Sequence, residues 1–246
     1  MSDLSIYGVK INNFNIYINS IVKEYNPRLT LKLNNVFIKL NLSQSSININ
    51  TKDSILIAEN NTIKISNIDT NLNIIKFFKK ENAIKNIKIE TSENSINDLT
   101  SLLNSINFDL SRYILYSQIK KGSIKFKLDT EFDINNPKIY SYKISGTVED
   151  AKLNLIGKGS LDSVSFNFDS KDKLTRISEL NFDYQNLNLL SESIEIRNET
   201  SDTYLIKGDI KNNKSLIDPN ILFKLVKINQ DFLSNNGVSV QSKNFF

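Results

Sequence analysis

The chain has no cysteine, no histidine and no tryptophan in 246 residues. Without cysteine there is no disulfide and no thiolate metal site, and the redox compartment is left open. Without histidine the commonest general base and metal ligand is missing. Glycine (7), proline (3) and methionine (1) are scarce. No apolar run approaches the ~18 residues of a membrane helix. Met1-Ser2-Asp3-Leu4-Ser5-Ile6 lacks the basic start and apolar core of a signal peptide. Charge of one sign is not concentrated either. The formal net charge is +4, Lys is dispersed, and local pairs occur at Lys79-Lys80 and Lys120-Lys121. A nucleic-acid footprint clusters its charge, so nucleic acid is not an expected partner.

What the chain does have is Asn, Ile, Ser and Lys in abundance, a bias that fits codon pressure from an AT-rich genome. Apolar residues make up 39% and charged residues 24%, the balance of a folded chain with a sizeable core. The length suits one large β domain or two smaller ones. We read residues 1–246 as a single elongated β-rich region.

The dominant pattern is alternation, the period of a strand with one dry face. Phe14, Ile16 and Ile18 alternate with Asn15 and Tyr17. Leu29, Leu31 and Leu33 follow, then Val36, Ile38 and Leu40, Ile47 and Ile49, Ile55 and Ile57, Ile63 and Ile65, and Ile68 to Ile74. From Gly122 come Ile124, Phe126 and Leu128; Tyr140 to Ile144; Leu153 and Leu155; Val164, Phe166 and Phe168; Leu180, Phe182 and Tyr184; Leu187 and Leu189; Ile194 and Ile196; Tyr204 and Ile206. Asn34-Asn35, Glu149-Asp150, Gly157-Lys158-Gly159, Asp169-Ser170-Lys171-Asp172 and Lys211-Asn212-Asn213 read as turns between them. The spacing predicts about fifteen short strands of a meandering antiparallel sheet.

Helices are few. Ser95 is a good N-cap with Asp98 three residues on. Ile96, Leu99, Leu102, Leu103 and Ile106 then share one helical face. This opens a helical insert over about 95–119, whose second part, Phe108 to Ile119, fits helix and strand equally. Asp218-Pro219 starts a second helix over about 218–235, with a dry stripe from Ile221 to Phe232. The fold class is therefore mainly β (a β-rich α+β chain). It is expected to be an elongated, curved antiparallel sheet or groove of many short strands, with two or three short amphipathic helices.

Such a sheet would be about 70 Å wide at ~4.8 Å per strand, and helices ~10 Å across cannot roof it. A bare dry face of that size exceeds what a soluble monomer tolerates. Three solutions stay open. The sheet folds into a sandwich or barrel, it curls into a trough lined for a lipid-like ligand, or it is an outer-membrane barrel. The last is disfavoured because the runs look too short for its ~10-residue strands.

Four local motifs have sharper readings. Asp129, Glu131 and Asp133 share a strand face, but a Ca²⁺ site needs six to eight oxygens, and a solvated face is the expectation. Gly157-Lys158-Gly159 is a turn, with no helix behind it to make a nucleotide loop. Phe77-Phe78-Lys79-Lys80 is expected to pack as a core half-turn, with contact to a membrane surface as the sharper alternative. The stripe 221–232 is expected to pack on the sheet.

Two stretches carry a family resemblance. One is Ile68-Asp69-Thr70-Asn71-Leu72, Ile75-Lys76-Phe77-Phe78, Ile84-Lys85-Asn86-Ile87-Lys88-Ile89-Glu90 and Asn94-Ser95-Ile96-Asn97-Asp98-Leu99. The other is Ile144-Ser145-Gly146-Thr147-Val148-Glu149-Asp150-Ala151-Lys152-Leu153-Asn154-Leu155, continuing to Tyr184. Their order resembles the AsmA-like family of bacterial envelope proteins (the TamB- and YhdP-related group). The resemblance covers about two thirds of the chain and rests on patterns more than fixed residues. It implies a hydrophobic β-groove on the periplasmic side of the inner membrane, acting in lipid transport and outer-membrane lipid homeostasis. The family's N-terminal membrane helix has no counterpart here, so the expectation is a fragment without its anchor. The family brings no catalytic residues and no cofactor.

The expected function is non-enzymatic binding or transfer of phospholipid, with phospholipid or membrane as partner, beside further β modules of a longer chain. The groove-lining candidates are Phe14, Ile16, Ile18, Ile63, Ile65, Ile124, Phe126, Phe166, Phe168, Phe182, Ile194 and Ile196. The alternative is a structural or adhesive β-sandwich with no lipid groove. No catalytic or metal residues are assigned.

Overall fold

The computed structural model describes residues 26–41, 43–58, 61–79, 81, 83–105, 118–133, 139–155, 159–185, 187–199 and 203–213, with 16, 19, 22 and 23. The chain is mainly β. Its strands are β1 (Leu29–Lys32), β2 (Val36–Asn41), β3 (Ser46–Ala58), β4 (Asn61–Asn73), β5 (Ile84–Thr91), β6 (Asn94–Ser95), β7 (Ile119–Phe132), β8 (Ile139–Leu155), β9 (Gly159–Lys171), β10 (Leu174–Tyr184), β11 (Leu187–Asn198), β12 (Tyr204–Gly208) and β13 (Lys211–Asn212). Two helices are described, α1 (Ile74–Phe78) and α2 (Ile96–Ser105).

All thirteen strands belong to one antiparallel sheet. Its path is β1-β3-β4-β5-β7-β8-β9-β10-β11-β12, with β2 also on β3, β6 on β7 and β13 on β11. Ten strands side by side span about 43 Å. The path is open: among the described residues no pairing joins β1 or β2 to β12.

The described strands are longer than the alternation predicts. β8 has 17 residues, and β3, β4, β7, β9 and β11 have 12 to 14. The error has one physical cause. Apolar positions step by two along the strands, but in several of the long ones they also step by three: Ile65 to Ile68 in β4, Val148 to Ala151 in β8, Leu161 to Val164 in β9 and Ile177 to Leu180 in β10. That slip reads like a turn. In the structure it is a place where the strand takes in an extra or left-handed residue and continues, re-aiming the side chains so that the dry face stays dry. Thus Glu149-Asp150 lies within β8 and is no hairpin turn. Leu187, Leu189, Ile194 and Ile196 are one strand. Lys211-Asn212, read as a turn, is β13. Strand length therefore no longer argues against a membrane barrel. The open path does.

The slips line up. Asp150 in β8, Ser163 in β9 and Glu179 in β10 have φ of 45°, 52° and 53°, and Gly122 in β7 has φ 123°. On the other side of the sheet Asp53 in β3 has φ 53°, and the β4–β5 register shifts between Ile65 and Asn67. Bulges bend strands and add twist, so their alignment makes a seam across the sheet. Asp150 is held there by Lys121 (2.8 Å) and by its own N–H to Ser165 Oγ (3.1 Å). Left-handed backbone is tolerated by Asp and Gly and poorly by β-branched residues. Asp150→Val is expected to cost about 1–2 kcal/mol, and Asp150→Gly a few tenths, read as shifts of the urea midpoint.

Helix α2 packs on one side of this seam. The Asn97 N–H donates to Ser95 Oγ (3.2 Å), and Asp98 lies in the first turn, as the cap spacing predicts. Ile96 and Leu102 are buried. The side chain at 122 has to be hydrogen: a Cβ on Gly122 would sit 2.7 Å from Ala151 Cα and 2.9 Å from Ile96 Cδ1. Residues 106–117 and the predicted helix over 218–235 lie outside the described residues. The N-terminal strand prediction fails at Ile16, whose backbone is helical.

Candidate functional site

The two faces of the sheet are chemically opposite. Register makes this explicit, because residues paired across strands point the same way. One row runs Val36, Thr51, Ile68, Ile89, Leu128, Ile144, Ser170, Thr175, Ile196, Ile206. A second row contains Phe126, Gly146, Phe168, Ile177 and Ile194. A third contains Ile38, Ile49, Thr70, Ile87, Thr130 and Tyr142. Several hydroxyls on this face are tied down within the sheet. Thr91 donates to the Phe126 carbonyl (3.3 Å) and Thr130 to that of Ile87 (3.1 Å); Thr51 and Ser54 bond each other (2.6 Å), as do Ser170 and Thr175 (2.8 Å). What remains to face outward is largely hydrocarbon.

The opposite face is a polar lattice. One row reads Glu90, Lys127, Ser145, Asp169, Arg176, Glu195, Lys207, with charges that alternate in sign around one serine. Lys127–Glu90 and Arg176–Glu195 close at 2.9 Å, Lys143–Asp169 at 2.9 Å and Lys88–Asp129 at 3.2 Å. Asn48 donates to Asp69 (2.9 Å), Asn50 to Asn67 (2.8 Å) and Asn71 to Asn86 (3.0 Å). Such exposed pairs contribute only about 0–1 kcal/mol each. Their larger role is register: a one-residue slip would turn the dry face to water, and a two-residue slip between β5 and β7 would set Lys88 opposite Lys127 or Glu90 opposite Asp129. Lys152 and Ser160 hold the Asp162 carboxyl below its usual range. Of the acidic trio, Asp129 and Glu131 belong to this lattice: Asp129 pairs with Lys88, and Glu131 accepts from Ser141 (3.2 Å); Asp133 lies just past the end of β7.

The seam divides the apolar face into two unlike halves. On the α2 side the side chains are closed off. Ala58, Ile63 and Ile65 pack with Leu102. Val148, Ala151, Val164, Phe182, Tyr184, Leu187 and Leu189 form a second buried group with Ile96, and burial pushes the Tyr184 phenol above its ordinary pKa. On the other side Ile68, Ile87, Ile89, Phe126, Leu128, Ile144, Phe168, Ile177, Ile194 and Ile196 are all only partly buried, and Tyr142 is exposed. Phe166 and Phe168, two apart on β9, bring their rings to 6.3 Å.

This places the candidates. Ile124, Phe126, Phe166, Phe168, Ile194 and Ile196 do share the apolar face at or beyond the seam, none of them fully buried. Ile63, Ile65 and Phe182 share the same face but are sealed in core. Ile16 is 70% exposed on helical backbone and is not part of the sheet. Phe14 and Ile18 lie outside the described residues. Sequence reasoning left out Ile68, Ile89, Leu128 and Ile144, the middle of the longest row. They were legible as strand residues, but only the pairing shows them side by side.

No protein-family model, no curated protein and no solved structure matches this chain. The functional reading therefore rests on the two faces. No described helix is long and apolar enough to cross a membrane.

Proposed function

We propose that the half of the apolar face beyond the seam is a trough for acyl chains, and that the protein binds or transfers phospholipid without catalysing a reaction. One observation carries this: continuous rows of Ile, Leu and Phe run across the sheet, yet on that side of the seam most of them, from Ile68 and Ile89 through Phe126, Leu128, Ile144 and Phe168 to Ile194 and Ile196, are only partly buried, with Ile47 and Leu72 beside α1 the buried exceptions. Each acyl CH₂ laid against such a surface gains roughly 0.8 kcal/mol. Head groups would stay at the rim in water. The AsmA-like resemblance supports the same role and adds a setting, the periplasmic side of a bacterial inner membrane. A structural or adhesive sandwich needs a second sheet to seal against, and the described strands all belong to one.

The chain lacks cysteine, so an introduced thiol is unique. An environment-sensitive dye on Leu128→Cys is expected to shift to the blue with short-chain phospholipid, while the same dye on Lys127→Cys, on the polar face, does not shift. Organic extracts of the purified protein should contain phospholipid. No bound lipid together with no dye response at Leu128→Cys would rule the trough out.

A further inference from the structure

Helix α1 is a single turn between β4 and β5, at the end of the sheet beyond the seam. The expectation of a core-packing half-turn fails here. Ile74 is the anchor, packed with Leu72, Ile47 and Ala83. The rest of the turn points into water: Ile75 is 56% exposed, Phe77 47% and Phe78 75%. The knob is held in shape. Asn73 caps it through Lys76 N–H (3.1 Å), the Lys79 N–H reaches the Ile75 carbonyl (3.1 Å), and the two rings meet edge to face at 5.7 Å.

We infer that this tip is a membrane-docking element that inserts Ile75, Phe77 and Phe78 into the headgroup–acyl boundary of an anionic bilayer. Three things favour a bilayer over a protein. Between Ile74 and Lys85 the sequence carries Lys76, Lys79, Lys80 and Lys85 against one acid, Glu81, which complements anionic headgroups. Long Lys side chains beside buried rings keep their charge in the interface. And three apolar side chains on one turn are far short of the ~800 Å² per partner that a stable protein interface or dimer needs, whereas a bilayer demands no matching shape. Docking does not require the trough to hold lipid, so the two proposals can fail separately.

The test is co-sedimentation with vesicles of equimolar phosphatidylglycerol and phosphatidylcholine, beside pure phosphatidylcholine. The unaltered protein is expected to pellet with the anionic vesicles and to be released by high salt. Phe77→Ser/Phe78→Ser should lower the partition by roughly tenfold or more, and Lys79→Glu by about fivefold or more. Because Phe77 and Phe78 are exposed, the double variant should keep the parent's thermal unfolding and its dye response at Leu128→Cys. Equal partition of the double variant and the parent overturns docking, as does no binding to anionic vesicles. A parent dimer that the double variant abolishes, with no vesicle binding, would make the tip a self-association surface and overturn it as well.

Discussion

Replacing Gly146 by valine is expected to cost about 3 kcal/mol or more, read as a fall in the urea midpoint with the slope unchanged. Gly146 sits mid-strand in β8, between Phe126 on β7 and Phe168 on β9. A Cβ there would run into the Lys125 carbonyl oxygen and approach Phe168 Cζ to 2.8 Å and Phe126 Cα to 2.9 Å. Two of those three obstacles are backbone, so a ring rotation does not relieve the clash. The strands must separate, and the adjoining ladder weakens with them. Alanine already carries the offending atom and should be damaging too. Thr147→Val, next along the strand on the polar face, is expected to stay within about 0.5 kcal/mol. If Gly146→Val unfolds at the parent's urea midpoint, the close approach over β8 is wrong.

The second large effect is a contrast between two lysines. Ile65→Lys places a charge where only 5% of the residue is exposed, beneath Leu102 of α2. It is expected to cost about 4 kcal/mol or more, because the ammonium has neither water nor a partner. Leu128→Lys lies on the same face beyond the seam, partly exposed, where the stem can lie along the sheet and the charge reach water. It should cost no more than about 1–2 kcal/mol. In an uptake assay with fluorescent phospholipid, Leu128→Lys is expected to bind at least tenfold more weakly, with Ile144→Lys behaving alike. Equal destabilisation at 65 and 128 would mean that the seam does not separate a covered half from an uncovered one. Unchanged uptake in Leu128→Lys would remove the trough floor from the binding site.

How much of this was readable beforehand depends on the scale of the pattern. Alternation over three or four residues gave the strand class, the antiparallel meander and the dry face. Ser95, Asp98 and the Ile96–Leu99–Leu102 stripe gave α2 and its cap. The strand lengths were not readable, because a three-residue step such as Val148 to Ala151 is produced equally by a turn and by a bulge. The chemistry at the step does not separate them: Asp150 and Ser163 are ordinary turn residues, and Glu179 is an unexpected occupant of left-handed backbone. The local reading of Phe77-Phe78-Lys79-Lys80 as a core half-turn fails for another reason. Apolar residues are normally inside, and nothing in the spacing distinguishes a turn whose first residue alone is anchored. The division of the apolar face is a tertiary property. Ile65 and Leu128 look alike in the sequence, and only the landing site of α2 makes them different.

The order of pairing has one further consequence. Apart from the step over α2 and β6 from β5 to β7, neighbours on the main path from β3 to β12 are neighbours in the chain. Stability in such an arrangement accumulates strand by strand, as it does in repeat arrays, and the entropy of closing each loop stays small. A hairpin added at an edge widens the ribbon by ~4.8 Å per strand and leaves the existing register untouched. The capacity of the fold can therefore be lengthened by simple duplication, with no redesign of its centre.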